Sequence, residues 1–251
     1  MTQRTDPATI AAIFGAEIRG DGVAGHAPGY NVAPTDPILA VLRRDEATVL
    51  TELRWGLIPS WATKAADGAR MFNARAETVA VSPAFRSSFA KRRCIVPTDG
   101  FYEWDKAGGT RQPYLLRPPE DGILALAGIW SAWKDPATGL WVPSASVITT
   151  EANGAVGAIH DRMPVLLPQE AWTRWLDPAL PDVSELMPLL RPAPDDVLAL
   201  IPVSTRVNSV RNDGPDLMEP VTPGAAEALA TGRRRTRPDE PGTPGQGTLF
   251  G

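Results

Sequence analysis

A single cysteine, Cys94, among 251 residues leaves no partner for an intramolecular disulfide, no cysteine-based zinc site and no argument for an oxidising compartment. Histidine is nearly as scarce, represented only by His26 and His160. No run of about 18 apolar residues occurs, and the start lacks the basic, apolar, small-residue order of a secretory signal, so the expected location is cytoplasmic. A serine nucleophile elbow, a His-Glu-x-x-His pair, a phosphate-binding glycine loop and a paired-cysteine motif are all missing, which lowers the weight of the standard hydrolase and nucleotide-binding classes. Basic residues do not predominate: 29 acidic against 25 basic side chains give a net charge of −4, unsuited to coating duplex DNA through bulk charge but compatible with a local basic groove. No fixed-period repeat is present, and neither a metal nor a cofactor is indicated.

What the chain does have is an apolar content of 43%, ordinary for a self-supporting core, in runs that read as short strands between turns. "TDPATIAAIFGAEI", Thr5 to Ile18, sets a capping residue and a first-turn proline ahead of Ile10, Ile13, Phe14 and Ile18, and predicts an amphipathic helix. Pro34 and Pro37 interrupt any helix before "ILAVL", a buried strand, and "TVLTELRWGLIPSWA" continues in β-rich style to Trp61. "FRSSFAKRR" reads as a short helix and "CIVP" as a strand. An Asp-Gly turn at Asp99 and Gly100 then precedes a strand carrying Glu103. "QPYLLR", "ILALAGIWSAW" and "SASVITT" add three strands, with "KDPATGLW" as a hairpin connection between the last two, and "LPQEAWTRWL" is a helix with Pro168 near its start. Strands separated by turns with irregularly placed helices predict an α+β single domain around a curved, barrel-like, mostly antiparallel sheet. The domain is expected over 1–222, followed by a flexible Gly-, Pro- and charge-rich tail over 223–251.

The candidate chemistry is concentrated in three short polar stretches. In "IHDRMP", His160 is flanked by Asp161 and Arg162, and Pro164 biases Met163 away from helix, so the histidine has a rigid mount from which to trade a proton near neutrality. In "FYEW", strand alternation sends Tyr102 and Trp104 to one face and Glu103 to the other; a cavity on that face would suit Glu103 to acid–base work, open solvent would not. In "NARAET", Asn73 and Arg75 stand two apart and can present an amide and a guanidinium to one phosphate or sugar, or join a buried network. Cys94 heads a buried strand, and Trp172 and Trp175, three apart, read as a packing stripe.

Taken in order, "YNVAP", "WGLIPSWA", "NARAET", "RRCIVPTDGFYEW", "LAGIW", "VITTEAN", "IHDRMPVLL" and "NSVRNDG" resemble the SRAP family of SOS response-associated peptidases, or abasic-site processing proteins, from about Tyr30 to Val221. The resemblance implies a barrel-like core, a groove for single-stranded DNA, and covalent capture of abasic sites by an N-terminal cysteine whose amine and thiol close a thiazolidine on the sugar aldehyde. It implies that Asn73 holds the sugar, that Glu103 assists proton transfer and that His160 helps to open the sugar or reverse the link. Arg75 and Arg162 would meet phosphates, Pro34 and Trp61 would lie on the DNA path, and Thr149 would line the pocket. The family's cysteine at position 2 is replaced here by Thr2, and the helix beginning near Asp6 arrives several residues early. The expectation that follows is a Met-Cys-Gly-Arg-like segment upstream. Two other readings stay open: an amine-based lyase in which Thr2 or its α-amine offers imine chemistry in place of the cysteine, and a non-covalent binder of single-stranded or junction DNA. The chain is expected to act as a monomer, nucleoid-associated on damaged DNA. The tail's end, "QGTLF", resembles a sliding-clamp docking peptide, with Gln246 setting register and Leu249 and Phe250 filling an apolar pocket.

Overall fold

Five strands close a barrel in the computed structural model, which describes residues 1–105, 111–180 and 182–222. In chain order the strands are β1 (Glu17–Ile18), β2 (Pro37–Arg44), β3 (Ala47–Trp55), β4 (Asn73–Arg75), β5 (Arg93–Thr98), β6 (Phe101–Trp104), β7 (Pro113–Arg117), β8 (Leu124–Lys134), β9 (Trp141–Glu151), β10 (Arg162–Pro164) and β11 (Ala199–Pro202). Antiparallel pairing runs β3–β2–β5–β8–β9, and the ring closes where β3 meets β9 in parallel through Arg54–Ser144 and Trp55–Ala145. A second, three-stranded sheet, β11–β7–β6, leans on the barrel. The expected α+β architecture with a mostly antiparallel barrel core is therefore present.

The barrel strands are buried on both faces, which is why "ILAVL" is a continuous apolar run rather than an alternation. Leu39 and Val41 of β2 pack with the helix residues Ile10, Phe89 and Trp175, whereas Ile38, Ala40 and Leu42 pack with Met1, Phe101 and Leu116. Covering one side is α1 (Pro7–Phe14), capped by Asp6, whose carboxylate accepts from Thr9 N at 2.9 Å. The helix stops at Gly15, which takes a left-handed backbone (φ 58°), so the amphipathic pattern predicted through Ile18 is cut short. Ile18 falls in β1, and both it and Ile13 are 44% exposed.

Two further boundaries differ from the sequence reading. The β-rich run ends at Trp55 because Gly56 (φ 122°) turns the chain against Gly68, whose carbonyl lies 2.8 Å from where a Cβ would sit. Asp99 and Gly100 join no hairpin: the chain leaves the barrel at β5 and enters the second sheet at β6. The β8–β9 hairpin forms as expected, its connection closed by Asp135 N donating to Leu140 O at 2.8 Å. Pro168 caps a 3-10 turn that runs into the helix Trp172–Leu176, where Trp175 is buried and Trp172 stacks on Phe14 at 4.2 Å, as a packing stripe should. Cys94 is buried, and burial pushes its thiol well above the ordinary range, leaving it inert. No helix among the described residues is long and apolar enough to cross a membrane.

Candidate active site

The site begins with a chain segment that carries no regular strand yet is held like one. Met1 and Val32 exchange backbone hydrogen bonds at 2.8 and 2.9 Å, Gln3 and Gly29 do the same at 2.8 and 3.0 Å, and Thr2 pairs with Gly100 on the other side. Gln3 repairs a gap in the barrel. In the β2–β5 register, Leu39 would next face Pro97, which has no N–H to give. The Gln3 side chain enters instead: Nε2 donates to Leu39 O and Pro97 O at 3.0 and 2.6 Å, and Oε1 accepts from Leu39 N at 3.0 Å. Asp99, almost fully buried, accepts from Arg4 N (2.6 Å) and Thr5 Oγ1 (2.5 Å), clamping the exit of the segment. Thr2 is buried, and its hydroxyl donates to Gly100 O at 3.2 Å.

Met1 thereby becomes a wall of a cavity of about 500 Å3 that also holds Pro34, Asn73, Glu103 and His160. Its α-amine is buried, and desolvation lowers its pKa from 8.0 to about 5 despite the opposing pull of Glu103 and Asp36. The apolar side of the cavity includes Trp55 and Phe72, packed edge to face at 6.1 Å, with Trp55 Nε1 donating to Phe72 O at 2.9 Å. Pro34 is exposed at the cavity; the neighbouring Thr35 takes a left-handed backbone (φ 87°) pinned by its N–H to Trp55 O at 2.7 Å.

Alternation on β6 does what the sequence pattern predicted: Tyr102 and Trp104 join one apolar cluster, while Glu103 meets His160 across the cavity, Oε2 to Nε2 at 3.7 Å. His160 Nδ1 lies 3.0 Å from Arg162 O and 3.2 Å from Arg162 N. One tautomer donates to the carbonyl and the other accepts from the amide, so the backbone supports the imidazole whether Nε2 carries the proton or not. That arrangement lets Nε2 give or take a proton beside Glu103 without reorienting the ring.

A charged rim adjoins the cavity. Asn73 and Arg75 are the two exposed residues of β4, with Ala74 buried between them, so their side chains share a face as predicted; Asn73 reaches the cavity lining and Arg75 does not. Arg162 is fixed from two directions. Its Nε donates to Thr149 Oγ1 at 3.3 Å and its Nη2 to Thr149 O at 2.6 Å, while Nη1 and Nη2 form a two-pronged pair with Glu77, both at 3.0 Å. Thr149 is thus a support for Arg162 rather than part of the cavity lining. Trp61 is 63% exposed and outside the lining. His26 lies against Glu52 at 3.4 Å, apart from the site. Gln246, Leu249 and Phe250 lie outside the described residues.

Two participants escaped the sequence reading. The amine of Met1 has no side-chain signature, and only its burial marks it. Glu77 was in view within "NARAET", but nothing in the sequence shows that its partner stands 85 positions later.

The family model described as SOS response associated peptidase (SRAP) matches residues 1–210. Among curated relatives, the abasic site processing protein YoqW of Bacillus subtilis is 40% identical over 193 residues, covering 76% of this chain and 86% of the relative. The abasic site processing protein HMCES of Gallus gallus is 35% identical over 234 residues, covering 80% of this chain and 69% of the relative. A solved protein from Bacteroides thetaiotaomicron superposes with a TM-score of 0.79 at 27% identity, covering 88% of this chain and 98% of that one.

Proposed function

The chain belongs to the SRAP family, and from that membership we propose that it binds single-stranded DNA and captures abasic sites through an amine presented in the cavity of Asn73, Glu103 and His160. The observation that carries the reading is a buried amine walled into one cavity with a carboxylate and an imidazole that face each other. Relatives named as abasic site processing proteins support the substrate class.

An abasic deoxyribose in its ring-opened form offers an aldehyde at C1′. The amine lone pair attacks that carbon, the former carbonyl oxygen takes up a proton, and the carbinolamine loses water to leave a carbon–nitrogen double bond. The amine surrenders two protons overall, and Glu103 and His160 are the groups placed to move them. Asn73 holds the sugar from the same wall. Arg75 and Arg162 engage flanking phosphates, and Trp61 offers a face for a splayed base.

A second reading draws on the reciprocal bonds between Met1 and Val32. A strand residue makes that pair with its peptide N–H, so this position accepts a peptide as well as an amine, and a preceding residue carrying both a free α-amine and a thiol would form its own imine and close a ring on it. The two forms of the reaction separate on a denaturing gel with abasic single-stranded DNA. An adduct that needs borohydride supports imine chemistry alone, and one that survives without reductant supports thiazolidine formation. No adduct under either condition leaves a non-covalent binder and overturns covalent capture. In the same framework the protein acts as a monomer. Gln246, Leu249 and Phe250 dock on the sliding clamp: deletion of 246–251 is expected to abolish clamp binding and spare DNA binding, and unchanged clamp affinity would contradict it.

A further inference from the structure

The two-pronged pair between Glu77 and Arg162 holds the place of a ligand. A carboxylate and a phosphate present similar oxygen pairs to a guanidinium, and Arg162 offers Glu77 the same fork it would offer a phosphodiester. Two of its three other N–H donors go to Thr149 Oγ1 and Thr149 O, which holds the guanidinium in the orientation that faces Glu77. The Arg162 side chain is 22% exposed and that of Glu77 53% exposed, so the pair lies at the surface, within reach of an incoming anion. The fork holds the Glu77 carboxyl below the usual carboxylate range, so it is charged throughout the neutral region.

We propose that Glu77 is an internal stand-in for a DNA phosphate, a latch that occupies Arg162 in the free protein and must be displaced before a strand can seat there. The proposal rests on the reading that Arg162 is a phosphate contact. A destination for the displaced side chain exists: Glu77 and Arg191 line the same depression of about 320 Å3 beside Thr150 and Glu151. Arg191 takes part in no ion pair among the described residues, whereas Glu151 would repel an arriving carboxylate, so the exchange is biased towards Arg191 and remains reversible. The latch makes Glu77 a positioning residue with two consequences. It keeps Arg162 extended before binding, and it makes seating of a phosphate an exchange of one anion for another, so that breaking the fork lowers affinity.

The test is fluorescence anisotropy with a thymidine oligonucleotide lacking an abasic site, comparing the wild type, Glu77→Gln, Arg162→Gln and the double variant, each confirmed folded by its melting curve. Glu77→Gln keeps the shape of the side chain and removes the charge. It is expected to bind about two- to fivefold tighter, the scale of a partly exposed ion pair. The slope of its log affinity against log salt should stay near that of the wild type, because the bound state neutralises the same phosphates in both. The gain in affinity should vanish in the Arg162→Gln background, because it acts through that guanidinium. Equal or weaker binding by Glu77→Gln, with wild-type binding intact, would overturn the latch while leaving the DNA-binding reading in place. Failure of every form to bind would overturn both. A Glu77→Gln protein that gains affinity for inorganic phosphate but not for the oligonucleotide would make the seat a free-anion site and overturn the DNA assignment.

Discussion

The interior of the cavity and its rim handle charge in opposite ways. Inside, burial of the Met1 amine disfavours its charged form, and Thr2 and Gln3 are fixed by backbone and amide hydrogen bonds. At the rim, Arg75 is exposed and Arg162 pairs with Glu77. Dry surroundings favour an uncharged nucleophile, and wet ones favour charges that recognise a polyanion. Placing both within one cleft separates chemistry from affinity, so each can be damaged without the other.

The sharpest break in that separation is Glu103→Gln. It should lower adduct formation by about 10²- to 10⁴-fold, the usual worth of a general acid or base, in a single-turnover assay with abasic oligonucleotide. Affinity for the same strand without an abasic site should stay within about twofold, since Glu103 faces the cavity and not the rim. Loss of both together would mean that chemistry and binding are one site.

Next in size is the cost of hiding the amine. The unfolded chain protonates it below pH 8, the folded chain only below about pH 5. Between these values acid favours the unfolded state, so this group's contribution to stability rises from pH 5 to pH 8 by on the order of 4 kcal/mol. Denaturant titrations across that range should show the rise, and acetylation of the α-amine should flatten it. A profile that the acetylated protein follows unchanged would place the amine in water.

Gln3→Ala tests the scaffold behind the interior. It strands Leu39 N, Leu39 O and Pro97 O in the barrel wall, and should lower unfolding free energy by roughly 2–4 kcal/mol by the cost of buried unpaired groups. Urea melts would check this, and a loss below about 1 kcal/mol would show that water fills the gap. Smallest is the effect of Trp61→Ala. It should weaken single-strand binding by about 1–3 kcal/mol, the worth of one stacked base, with stability unchanged because the ring is already exposed.

The same contrast governs what could be read from sequence. Buried runs such as Ile38 to Leu42, the alternation that separates Glu103 from Tyr102 and Trp104, and the shared face of Asn73 and Arg75 are local patterns, and all three hold in the fold. Barrel closure is not local: Arg54 meets Ser144 in parallel, and no hairpin signal announces it. Gly100 looked like a turn residue and is instead where the chain changes sheets, with Leu116 O only 2.8 Å from a would-be Cβ. The role of Gln3 depends on a proline in another strand. The lowered pKa of the Met1 amine depends on burial, which sequence spacing does not encode.

The direct test is where DNA becomes attached. The protein is incubated with single-stranded DNA bearing one abasic site, reduced with borohydride and digested, and the modified peptide is sequenced by mass spectrometry. Capture through the cavity places the sugar remnant on the amino-terminal residue and leaves the lysine side chains clean. An adduct carried by a lysine, or none under reducing conditions, would contradict the assignment of this cavity as the site of abasic-site capture.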